Sequence, residues 1–153
     1  MSQSEEARKF IEQARQRIRT HAQKRRHAGQ TDKLYAVVQS KTGNLYVGIP
    51  LETSMPQANF CAERHAINNM LYTEPDSGAV ERILVATPAP DETTNPTTPC
   101  GACRHVIHQF SNDATIYCAT FVRETDGWTM FPRVDEYSAK DMYPNHHGHP
   151  SWD

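Results

Sequence analysis

The sequence predicts an α/β domain in which a central sheet is covered by helices. Segments of helical and strand periodicity alternate in the order α-β-β-α-β-α-β-β-α, a pattern that gathers the strands into one sheet with helices packed on it. The runs LYAVVQ, RILVATPA and ATIYCATF are nearly continuous in apolar residues, as strands buried on both faces are. At 153 residues, without repeat or linker, the chain is expected to form one domain, long enough to bury about two thirds of its unfolded surface without disulfides.

The elements follow in order. SEEARKFIEQARQRIRTHAQKRRHA, within residues 1–28, reads as one amphipathic helix, because Phe10, Ile11, Ala14, Ile18 and Ala22 recur at helical spacing. Ser2 and Glu5 are placed to form a capping box. LYAVVQ (Leu34 to Gln39) and NLYVGIPL (Asn44 to Leu51) read as a hairpin turning at Ser40-Lys41-Thr42-Gly43. CAERHAINNMLYT (Cys61 to Thr73) is a helix stopped by Glu74-Pro75, since proline cannot continue the ladder. RILVATPA (Arg82 to Ala89) is a buried strand, and the Pro/Thr-rich stretch Pro88 to Pro99 is a surface loop. CGACRHVIHQF (Cys100 to Phe110) is a second core helix and ATIYCATF (Ala114 to Phe121) another strand. WTMFPR forms a short strand after the Asp126-Gly127 turn, DEYSAKDM a last helix, and residues 144–153 a polar tail.

Charge narrows the partners. The net charge of −2 hides an asymmetry, because residues 5–26 hold eight basic and three acidic side chains. The rest carries eight basic against fifteen acidic, a body that repels polyanions, so no nucleic-acid partner is expected. Arg15, Arg17, Arg19, Lys24, Arg25 and Arg26 read as a solvated face, with an acidic neighbouring subunit or RNA as the alternatives. MSQSEEARKF lacks the apolar core of a signal peptide, and no run nears membrane-spanning length. The expectation is no membrane, a cytoplasmic location and reduced thiols free to bind metal.

Three of the four cysteines stand at predicted helix starts. Cys100 and Cys103 form C-x-x-C, a spacing that lets two sulfurs hold one ion, and Cys61 begins the other helix. Helix N-termini carry partial positive charge and unpaired N–H groups, which favour thiolate over thiol. Three thiolates offer zinc three tetrahedral ligands, and the fourth corner decides whether the site is structural or catalytic. His65, four residues after Cys61 on the same helical face, could close the site. Yet helical side chains lean toward the N-terminus, so the first residues meet such a site best. Cys118 reads as an ordinary buried cysteine, and His105, next to Cys103, as pointing off the ligand face into packing. Glu63 argues for the open site: a carboxylate beside an activated water can move its proton onward.

Cys61-Ala62-Glu63-Arg64, followed thirty-nine residues after Cys61 by Pro99-Cys100-Gly101-Ala102-Cys103-Arg104, resembles the zinc-dependent cytidine deaminase family, in its small homotetrameric branch, which includes blasticidin S deaminase. The superfamily signature is H-x-E…P-C-x-x-C, with Cys61 here in the histidine's place. The likeness covers residues 34–148. It implies a three-layer α-β-α fold with a mixed sheet of about five strands. It further implies Zn2+ on Cys61, Cys100 and Cys103, with Glu63 as acid/base and not a ligand. The implied reaction is hydrolytic deamination of a small-molecule cytosine nucleoside, cytidine or 2′-deoxycytidine, in pyrimidine salvage. By resemblance the Ala62 N–H contacts the base carbonyl, Arg64 hydrogen-bonds the ligand sulfurs, and the protein is a homo-oligomer, a tetramer.

The sugar side departs from the pattern. The family reads G-x-N-x-E before Cys-Ala-Glu, with Asn and Glu on the ribose 3′-hydroxyl. Here Gly48-Ile49-Pro50-Leu51-Glu52 keeps Gly48 thirteen residues before Cys61, so Glu52 matches while Pro50 replaces the asparagine. Proline offers neither a side-chain hydrogen bond nor an N–H. AGQTDKLYAVV has no counterpart of the family's YxPYSxFxVGAA start, and MYPNHHG places His147 where an aromatic is expected, with Tyr143 and Trp152 nearby. These departures make a modified cytosine nucleoside, blasticidin S-like or N4-substituted, or another aminopyrimidine, the alternative substrate. A non-catalytic zinc-binding interaction module is the alternative of another class.

Overall fold

The computed structural model describes residues 4–27, 34–76, 79–111, 113–122 and 129–143. Five strands, β1 (Tyr35–Ser40), β2 (Leu45–Gly48), β3 (Val80–Ala89), β4 (Thr115–Val122) and β5 (Met130–Ser138), form one sheet in the order β2-β1-β3-β4-β5. The β3–β4 pair is parallel and the other three pairs are antiparallel, so the sheet is mixed. Four helices cover it: α1 (Glu5–His27), α2 (Ala62–Thr73), α3 (Gly101–Phe110) and α4 (Ala139–Met142).

Side-chain alternation divides the core into two layers. Tyr35, Val37, Leu84, Ala86, Tyr117, Ala119 and Phe121 face α1, whose Phe10, Ile11, Ala14, Ile18 and Ala22 are all buried there. Ala36, Val38, Ile83, Val85, Ile116 and Cys118 face the opposite way, onto α2, α3 and α4. The central strands are thus covered twice, which is why they read as continuous apolar runs. The expected three-layer α-β-α arrangement is the one observed.

Strand direction brings two helix starts together. β2 and β3 are each antiparallel to β1, so they run the same way and end at the same edge of the sheet. The chain leaves each at that edge and returns as α2 or α3, in the single layer that both helices share. α2 lies close on β2: a Cβ added at Gly48 would sit 2.1 Å from the Ala62 carbonyl oxygen and 2.4 Å from the Ala66 nitrogen. Asn69 Nδ2 donates to the Val47 carbonyl (3.0 Å), and the Glu74 carboxylate at the C-terminus of α2 accepts from Tyr46 and from Ser40 (3.1 Å). Helix and hairpin are stitched along their whole length.

Several local expectations change. The cap of α1 is Ser4, whose Oγ accepts the Ala7 N–H at 3.1 Å; Ser2 lies outside the described residues. β2 stops at Gly48, before Pro50, and Leu51 rejoins only as a two-residue bridge with Phe60. The last helix is confined to Ala139–Met142, because Asp135, Glu136 and Tyr137 pair with Cys118, Tyr117 and Ile116 and extend β5. Pairing with β4 overrides local helix preference there. Pro132 is tolerated because β5 is an edge strand whose register shifts opposite Ala119 and Phe121. The 144–153 tail, with His147 and Trp152, lies outside the described residues, and no described helix is long and apolar enough to cross a membrane.

Gly48→Ala is expected to destabilise the fold by about 3 kcal/mol, because the obstructing atoms are helix backbone and cannot rotate away. Urea denaturation reads this as a lower midpoint with the slope unchanged; a wild-type midpoint would mean that β2 and α2 do not touch at this residue.

Candidate metal centre

Cys61 and Cys100 are the N-cap residues of α2 and α3, both in extended backbone (φ −81°, ψ 159° and φ −65°, ψ 168°). Cys103 follows in the first turn of α3 and is fully buried, while Cys61 is half-buried and Cys100 exposed. Their sulfurs lie within 4.8 Å of one another, with Cys61 Sγ and Cys100 Sγ 3.8 Å apart. Tetrahedral zinc with Zn–S near 2.3 Å requires sulfurs roughly 3.8 Å apart, so this donor set fits zinc in kind and in spacing. Among the described residues no fourth His, Cys, Asp or Glu atom joins the group, and the graded burial leaves it open on the Cys100 side.

The thiols differ in proton affinity. Burial raises Cys100, but the backbone N–H of Cys103, the Cys103 and Cys61 side chains and the Ala102 N–H more than offset it, leaving this thiol below its ordinary value. Burial and the Glu63 carboxylate push Cys103 well above its ordinary value. The Cys103 thiol donates to Glu63 Oε2 at 3.0 Å, and Glu63 is itself 3% exposed. Binding a divalent cation here must therefore expel a proton held between sulfur and carboxylate. Arg64 Nη2 donates to Cys61 Sγ at 3.8 Å, and this contact, outweighing partial desolvation, raises the guanidinium's pKa. Arg64 Nε is buried with no partner among the described residues.

The remaining sequence-predicted residues fall as follows. Ala62 is buried in the first turn of α2, directly between Cys61 and Glu63. The Leu51–Phe60 bridge folds the segment after β2 back beside Cys61, with half-buried Pro50 on the Cys61 side of the bridge and exposed Glu52 on the other. His65 turns away from the sulfurs: its Nδ1 accepts the Ile49 N–H at 3.0 Å, and its ring meets Phe60 edge-on. The closed Cys3His alternative thereby loses its fourth ligand. Cys118 is a core residue whose thiol burial, foremost, pushes up to about 12. His105 Nδ1 lies 3.1 Å from the Tyr143 hydroxyl, off the ligand face as expected.

Arg104 closes the second motif, where the sequence alone assigns it no role. Its Nε donates to the Pro99 carbonyl (2.8 Å), Nη2 to Thr98 Oγ1 (2.8 Å) and Nη1 to the Met142 carbonyl (3.2 Å). Two of these acceptors are backbone atoms, which carry no signal in the identity of their residues.

In metal-free protein near neutral pH, iodoacetamide is expected to modify Cys100 well before Cys103 or Cys118, because the lowered thiol carries more thiolate and is exposed. Peptide mapping by mass spectrometry reads the order, zinc should protect Cys100, and equal rates at Cys100 and Cys103 would contradict the assignment.

Comparison with known proteins agrees with this geometry. A curated cytidine deaminase of Mycoplasma pneumoniae is 32% identical over 74 residues, 48% of this chain and 53% of the relative. The matched stretch thus spans about half of that relative's length. The fold is similar to the crystal structure of cytidine deaminase from Burkholderia pseudomallei (TM-score 0.61, 24% identity, 74% of this chain and 80% of that one). It is also similar to the cytidine deaminase from Bacillus anthracis (TM-score 0.55, 15% identity, 90% of this chain and 89% of that one). The family model described as the cytidine and deoxycytidylate deaminase zinc-binding region matches residues 5–120, from α1 into β4, and so takes in both cysteine-bearing helix starts. With three sulfurs spaced for zinc at those starts, the chain belongs to that family.

Proposed function

We propose that the protein is a zinc-dependent hydrolytic deaminase of a free cytosine nucleoside, converting cytidine or 2′-deoxycytidine to uridine or 2′-deoxyuridine with release of ammonia. One observation carries the reading: a buried carboxylate, Glu63, stands 3.0 Å from one sulfur of a three-cysteine cluster that has no fourth protein ligand among the described residues. A structural zinc site would have its fourth corner filled and would not need an acid beside it. Zinc held by Cys61, Cys100 and Cys103 supplies Lewis acidity toward a water molecule. Glu63 moves the protons: it accepts one from the attacking water and passes it to ring N3, then takes the second from the new C4 hydroxyl and delivers it to the amino group, which leaves as ammonia as the C4 carbonyl forms. The Ala62 N–H, at the start of α2, donates to the base carbonyl oxygen. Arg64 and two helix N-termini offset the negative charge of three thiolates.

On the sugar side, Glu52 accepts a hydrogen bond from a sugar hydroxyl, while Pro50 offers neither N–H nor polar side chain. That loss favours, as the second reading, a cytosine nucleoside modified on its sugar or at N4. The acidic body outside α1 disfavours a polynucleotide. Large apolar side chains lie exposed, Tyr72 at 89% near the C-terminus of α2 and Met55 at 60% in the segment after β2, and support assembly into a homo-oligomer, a tetramer by family.

The test is loss of cytidine absorbance by zinc-loaded protein, across cytidine, deoxycytidine, cytosine, blasticidin S and an N4-substituted cytidine. Glu63→Gln is expected to lower kcat by about a thousandfold with zinc content unchanged, since the residue carries protons and is not a ligand. If wild-type protein turns over none of the panel, the reading falls. Pro50→Asn is expected to raise kcat/KM on cytidine by about tenfold, the worth of one restored hydrogen bond; no gain would mean that the sugar is held elsewhere.

A further inference from the structure

Cys100 poses a problem that the other ligands do not. Cys103 is locked by burial and Cys61 is half-buried, but Cys100 is exposed, so packing does not hold its side chain. The Ala102 and Cys103 N–H groups meet its sulfur only if the Cys100 backbone is correctly set, and that backbone lies at the end of an irregular loop, residues 90–99. Without restraint the Sγ position would vary with the φ and ψ of this one residue.

Arg104 supplies the restraint from both sides. Its backbone N–H donates to the Cys100 carbonyl at 2.9 Å, which fixes the peptide plane after Cys100. Its Nε donates to the Pro99 carbonyl at 2.8 Å, which fixes the plane before it. Pro99 lies one residue outside the helix, so its carbonyl is not part of the helix ladder, and the Arg104 side chain supplies its donor. A second arm, Nη2, holds Thr98 Oγ1, and the third, Nη1, reaches the Met142 carbonyl at the end of α4. Met142 and Ala139 are buried in the core layer that α4 shares with α2 and α3. The loop is thereby referred to the core through one guanidinium. Only arginine offers donors in a rigid planar fork that can meet three acceptors at once; lysine presents a single flexible nitrogen.

We propose that Arg104 is a positioning residue for the metal centre: it holds Cys100 in its ligating conformation before the ion arrives, by clamping the peptide planes on either side of it. The inference rests on the zinc site and not on deamination, so its test reads zinc binding and is independent of whether any nucleoside is turned over.

The experiment compares zinc-loaded wild type, Arg104→Lys and Arg104→Gln by competition with a chromogenic chelator, alongside melting of the metal-free and zinc-loaded forms. Both variants are expected to bind zinc about tenfold more weakly or worse, the usual cost of losing a residue that orients a metal ligand. Melting should fall more in the zinc-loaded than in the metal-free form, since a ligand stabilises only as far as its affinity allows. Equal losses in both forms would make Arg104 simple structural glue and overturn the proposal. Wild-type affinity in Arg104→Lys with weakening only in Arg104→Gln would assign the effect to charge and overturn it as well. Should either variant fail to fold, Thr98→Ala removes one acceptor and keeps the charge; unchanged zinc affinity there sinks the clamp.

Discussion

The bare backbone of Gly48 lets the first turns of α2 lie directly on β2, and the metal centre inherits its position from that contact. A side chain at Gly48 would push away the stretch from Ala62 to Ala66 that carries Glu63. The opposite half of the site is set by sheet order. With β1 between them, β2 and β3 point the same way, and the helices that follow them begin at one edge. Two helix N-termini thus meet, and each brings free N–H groups and a partial positive charge to the same few ångströms. Cys61 and Cys100 are the residues at which those helices begin.

That meeting is electrostatically costly without a negative guest, and the cysteines answer it unequally. Cys100, exposed and bonded by helix N–H groups, gives up its proton readily; Cys103, buried against Glu63, keeps it. The Cys103 sulfur and the Glu63 carboxylate lie 3.0 Å apart, within hydrogen-bond reach. Arg64, bonded to Cys61, balances the sulfur charge from the α2 side, and Arg104 holds the α3 side by geometry. The two arginines follow their neighbouring cysteines in the motifs, yet one addresses sulfur and the other addresses backbone.

Much of this was legible beforehand because it depends on side-chain identity and period. The buried stripe of α1 was readable from Phe10 to Ala22, since a helix on a sheet needs one apolar face. The cysteine cluster was readable because thiols at helix starts have few other uses in that pattern. The final helix reads longer in the sequence than it is, because pairing with the edge of β4 outweighs the local helix preference of Asp135-Glu136-Tyr137. At the start of α1 the Ala7 N–H is met by Ser4, while Ser2 lies outside the described residues.

The available chemistry is written in the chain: three thiols, one carboxylate and two arginines, in two motifs that each open a helix. The chain also determined the element order, because apolar periodicity is a property of the sequence alone. Folding alone brings the motifs, thirty-nine residues apart from Cys61 to Cys100, to a sulfur separation of 3.8 Å, and turns His65 from them to bond Ile49. It alone decided the use of Arg104, whose partners are mostly carbonyls. Backbone acceptors are present at every residue, so which of them comes within reach is set by how the strands and helices pack.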